Sequence, residues 1–74
     1  MDLQTAKRER LNARTAWREN LIQVAELQKV IDRYVDLRVV PDEAVAEKYI
    51  ESLHRAARHF KKYYRYSQLV ELGQ

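Results

Sequence analysis

The sequence predicts an all-α protein: an antiparallel two-helix hairpin that pairs into a dimeric four-helix bundle. Three observations lead there. Helix breakers are scarce, with one glycine (Gly73) and one proline (Pro41) among 74 residues, far below ordinary usage. Apolar residues recur at spacings of three and four on both sides of Pro41, the period of a helix with one buried face. Finally, several apolar residues fall off both stripes, which a single hairpin leaves uncovered.

Helix one is predicted over about residues 3–37. Its stripe runs through Leu3, Ala6, Ala13, Trp17, Val24, Leu27, Ile31 and Tyr34. Arg10 and Asn20 stand on that stripe where apolar residues are expected. Asn20 reads either as a device that fixes register or oligomeric state, as a lone seam asparagine does in coiled coils, or as an edge residue satisfied by water. Arg10 lies near the open end, where its head reaches solvent or stacks on Tyr63 or Tyr64.

The segment "DLRVVPDEAV" loses the period and restarts it. Val40 precedes proline and is biased out of the helical region. Pro41, Asp42 and Glu43 suit a first turn, where proline's missing N–H is no loss and acids meet the positive end of the dipole. The corner is therefore predicted at 38–41 and helix two at about 41–71, with Gly73 as a C-terminal stop. Helix two's stripe is Ala46, Tyr49, Leu53, Ala56, Phe60, Tyr63 and Val70, widened by Ile50, Ala57 and Tyr64. Residues 1–74 then form one helical-hairpin domain.

A short corner makes the helices antiparallel neighbours and opposes residues whose numbers sum to about 77. Trp17 should meet Phe60, Val24 should meet Leu53, and Ala13 should meet Tyr63 and Tyr64. Leu11, Ile22 and Val30 lie off the first stripe, and Tyr66 and Leu69 off the second. Those residues predict a second contact surface, filled most simply by another copy.

Charge is unevenly laid out. Residues 1–18 carry five basic and two acidic side chains, residues 19–51 four and eight, and residues 52–74 five and one, giving +3, −4 and +4. A hairpin folded at the corner has one strongly basic end and one acidic end. In "HFKKYYRY", Phe60, Tyr63 and Tyr64 are expected in the seam, with Tyr66 alone pointing away. Arg55, Arg58, Lys62 and Arg65 form an outward row on helix two, without i, i+4 acidic partners, and Lys7, Arg14 and Arg18 form one on helix one. Unpaired cations in rows suit phosphate contacts, so these seven residues are the predicted binding surface for nucleic acid or another acidic partner. A solvated basic face is the plain alternative.

The stretch "YIESLHRAARHF" resembles the second helix of the Rop family, small RNA-binding hairpins that dimerise as four-helix bundles. The likeness covers "ESLH" and the spacing of Ile50, Leu53, Ala57 and Phe60, under a fifth of the chain. Helix one has no counterpart, so the resemblance implies architecture and no functional residue.

No enzymatic chemistry is predicted. Glu51 and His54 share the E-x-x-H spacing of di-iron bundles, yet both leave the seam, and His54 and His59 fall on different faces. Ser52 and Ser67 have no triad geometry, and glycine is too rare for a phosphate loop. Neither a metal nor another cofactor is expected. The absence of cysteine suits a reducing compartment, no apolar run reaches a membrane span, and the first residues lack a secretory h-region, so the expected location is cytoplasmic. Membrane-surface binding is not expected, because no exposed apolar band is foreseen beside the basic rows. The leading function is a self-associating, non-enzymatic binding protein that contacts nucleic acid. The alternatives are a protein–protein adaptor or inhibitor, and a structural subunit of a larger assembly.

Overall fold

The computed structural model describes residues 2–73. It contains two helices, α1 (Leu3–Asp36) and α2 (Glu43–Glu71), packed against each other, with no strand among the described residues. The hairpin is a rod of 51 × 15 × 14 Å. Its radius of gyration is 16.4 Å, against roughly 11 Å for a compact chain of this length.

Each helix start is fixed by an aspartate. Asp2 has extended backbone, and its side chain accepts the N–H of Thr5 at 2.7 Å, pairing a donor the first turn would leave orphaned. Thr5's backbone N–H chiefly, then its hydroxyl and the charge of Arg8, hold the Asp2 carboxyl below its ordinary pKa. Asp42 caps α2 by accepting the N–H of Ala44 at 3.0 Å. Pro41 therefore stands outside the helix instead of in its first turn, and Glu43 alone supplies the acid there. The corner extends over 37–42, longer than predicted.

α1 stops in a way the sequence does not advertise. Arg38 adopts φ 56°; its N–H bonds to the carbonyl of Val35, and that of Val39 bonds to Tyr34. This is the Schellman pattern, normally built on glycine. Gly73, at φ 72°, does end α2 as predicted, donating to Val70.

The antiparallel register agrees with the sequence. Trp17 packs on Phe60 with ring centroids 5.1 Å apart, and the Tyr49 hydroxyl donates to Gln28. Both pairs sum to 77.

The centre of the seam keeps the small residues of the predicted stripes, adds Ser52, and sheds several large ones. The most buried residues are small: Ala6 (1% exposed), Ala13, Ala56 and Ser52 (2%), with Asn20. Ala6, Ala13 and Asn20 are spaced by seven, so small side chains line the closest approach of α1. Ser52 fits because its hydroxyl donates to the carbonyl of Lys48 at 2.8 Å, four residues back. Small residues let the backbones approach, and the larger side chains are pushed to the flanks. α2 is consequently rotated about its axis relative to the prediction. Phe60 is 42% exposed, Leu53 41%, and Ile50 and Tyr64 more than half. These residues, expected in the core, form an open band.

Asn20 lies at the closest approach of the helices and not at an edge. It is buried, and its Nδ2 has no hydrogen-bond partner among the described residues.

Candidate nucleic-acid interface

Two grooves run along the hairpin, one on each side of the alanine seam. The first is lined at the open end by Lys7, Arg10, Leu11, Arg14 and Tyr63. The second is lined by Glu9, Asn12, Ala16, His59, Lys62 and Tyr66 around Ala13. On α1, residues 7, 10 and 14 lie to one side of Ala13, and 9, 12 and 16 to the other, as 100° per residue requires.

This arrangement divides the seven predicted residues. Lys7 and Arg14 belong to the first groove's side, and Arg18 is exposed on α1 one turn beyond Arg14. Lys62 lines the second groove, and Arg58 and Arg65 are exposed on the same outward strip of α2. The rows of the two helices do not merge into one patch within a single hairpin. Both remain at the open end, so the basic polarity stands while the shared surface does not.

Arg55 departs from expectation in another way. Its guanidinium pairs with Glu51 at 3.2 Å, an i, i+4 bridge. The row expected to lack acidic partners therefore has one at its first position. The pair is substantially exposed on both sides, so it contributes little stability, but it neutralises Arg55. Among the described residues it is the only ion pair. Arg58, Lys61, Lys62 and Arg65 carry no such partner, and Lys61 is a member of the strip that the three-and-four spacing passed over.

The aromatic residues also sit differently. Trp17 stacks on Tyr63 with centroids 5.9 Å apart and rings 13° from parallel. Phe60 contacts Tyr63 and Tyr64, each at 6.3 Å. Of the tyrosines in "HFKKYYRY", Tyr64 is the open one, while Tyr66 is half-buried beside His59 in the second groove. The cluster Trp17, Phe60, Tyr63 and Tyr64 lies on the side of Lys7, Arg10 and Arg14. Arg10 is half-buried among them. An exposed apolar band therefore does adjoin cations, against the expectation used to set membrane surfaces aside.

Glu51 and His54 both face solvent, and no group of three or more His, Asp or Glu among the described residues is arranged to hold a metal ion. No described helix is long and apolar enough to cross a membrane. The chain matches no family model, no curated protein and no solved structure.

Proposed function

We infer that this is a small, non-enzymatic binding protein that self-associates as a dimeric four-helix bundle and engages nucleic acid through its phosphates. One observation carries the partner's class. Arg58, Lys61, Lys62 and Arg65 occupy one outward strip of α2 with no carboxylate in ion-pair range among the described residues. A continuous helix fixes their spacing, so phosphate contacts made there need little ordering of the backbone. Phosphate contact positions a protein without reading sequence, so the binding is broad in specificity. Lys7, Arg14 and Arg18 add to the long-range positive field of the open end.

Fluorescence anisotropy with labelled RNA and DNA at several salt concentrations tests this. Each phosphate contact adds about 0.9 to the log–log salt slope on duplex DNA and about 0.7 on single strands. Arg58→Gln with Lys62→Gln should weaken binding to all sequences and flatten the slope by roughly 1 to 2 units. No binding at low salt by the folded protein removes nucleic acid as the partner.

A protein-docking reading has its own support in the half-exposed band of Ile50, Leu53, Phe60 and Tyr64.

A further inference from the structure

We propose that this band is covered by a second copy of the chain lying end to end, related by a two-fold axis that passes at Ala57. The proposal rests on the self-association reading above and specifies its surface and its direction.

The band is continuous. On α2, Ile50, Leu53, Ala57, Phe60 and Tyr64 follow spacings of three and four, and all five are exposed. On α1 the same side presents Leu21, 41% exposed, and the half-buried Trp17. Leu11 and Ile22, also exposed, lie toward the back of α1 and are not part of it. A contiguous exposed apolar band rimmed by charged residues marks an interaction surface.

The rod's total surface leaves room for such a partner. The isolated chain exposes 5952 Å², whereas a compact monomer of 8.9 kDa exposes about 4,800 Å². The difference, roughly 1,100 Å², is comparable with the ~800 Å² each partner buries in a standard interface.

Charge selects the direction. Two two-fold arrangements bury this face. With the axis along the rod, like ends meet: residues 1–18 and 52–74, together +7, fall on their own copies, and the −4 corner on its own. With the axis across the rod, each basic end lies on the other copy's acidic corner. The attraction favours the second, and like-charge juxtaposition disfavours the first.

A crossing axis also suits the side chains. Centred at Ala57, it sets Tyr64 level with Ile50 of the second copy and Phe60 beside its Leu53. Ala57 meets Ala57, so the two α2 helices approach closely at the axis. On α1, Arg10 comes within about a turn of Asp32 of the second copy. The two α2 helices then lie side by side, and their strips of Arg58, Lys61 and Arg65 join across the axis into one basic surface roughly 24 Å long at 1.5 Å per residue.

The experiment is sedimentation equilibrium in the absence of nucleic acid, with helicity followed by circular dichroism. The parent should sediment at twice 8.9 kDa, and Ala57→Glu, which sets two carboxylates face to face, at the single mass with its helicity kept. Because the chain has no other cysteine, Ala57→Cys should oxidise to a covalent dimer, as an axis at residue 57 brings the two Cα atoms within disulfide range. Arg10→Glu and Asp32→Arg should each weaken association at least about tenfold, and the double variant should restore it. A folded parent that stays at single mass at about 100 μM overturns the proposal. So does a dimer that neither cross-links through Ala57→Cys nor responds to the charge swap. Single-mass protein that binds anionic phosphatidylserine vesicles through the band, with binding lost in Ala57→Glu, assigns the surface to lipid and equally overturns it. Arg58→Gln with Lys62→Gln leaves the dimer intact, so failure of the interface and failure of nucleic-acid binding are read separately.

Discussion

Trp17 and Phe60 meet across the hairpin with ring centroids 5.1 Å apart and planes tilted by 55°, although Phe60 keeps 42% of its surface exposed. The contact locks the register of two long helices from one flank of the seam, not from its centre. Trp17 touches Tyr63 as well, so it anchors the aromatic cluster.

Within the single hairpin, Trp17→Ala should therefore cost about 2 to 3 kcal/mol, less than a fully buried aromatic loses, and Phe60→Ala less again; burial of the band in the proposed dimer adds to both. Thermal melts followed by circular dichroism measure both. A Trp17→Ala melt within a degree or two of the parent would show that the cluster does not hold the register.

Asn20 places a polar amide at the closest approach of the helices with its Nδ2 unpaired. A buried unsatisfied donor costs about 1 to 3 kcal/mol, and alanine already occupies the equivalent positions 6 and 13. Asn20→Ala should stabilise the protein by about 1 kcal/mol in urea unfolding. Destabilisation of that size instead would mean the amide makes a bond in the assembled protein.

Arg38 holds a left-handed backbone that costs a residue with a Cβ about 1 to 2 kcal/mol, part of which glycine's unfolded-state entropy offsets. Arg38→Gly should raise stability by up to about 1 kcal/mol, while Arg38→Val should lower it. Equal midpoints for the two variants would contradict the observed corner.

Asp2 caps α1 as an anion. Because folding lowers its pKa, its stabilisation is full above the ordinary carboxylate range and is lost as pH falls through the lowered value. Hydrogen exchange should show the Thr5 amide losing protection on acidification. Asp2→Ala should leave that amide weakly protected at every pH, and an unchanged profile would exclude the cap.

The two helices, their antiparallel register and the polarity of charge are legible in the residues alone, because each depends on local or cumulative properties. Period set the helices, one proline-marked corner fixed the direction, and the count of charges along the chain fixed the ends. Even the pairing of Trp17 with Phe60 followed from the position of the corner. Other features depended on distances that no spacing rule contains. Arg38 carries no sequence mark of a left-handed stop. Glu51 could be seen four residues before Arg55, but only the folded rotamers made it a partner. Above all, the packing of one helix on the other set which face of α2 turns inward. Spacing weights residues by hydrophobicity and put Leu53, Phe60 and Tyr64 at the centre, whereas close approach of two backbones rewards small volume. Ala6, Ala13 and Ala56, all on the predicted stripes, took the centre together with Ser52, and the large side chains of α2 were left as a band at the surface.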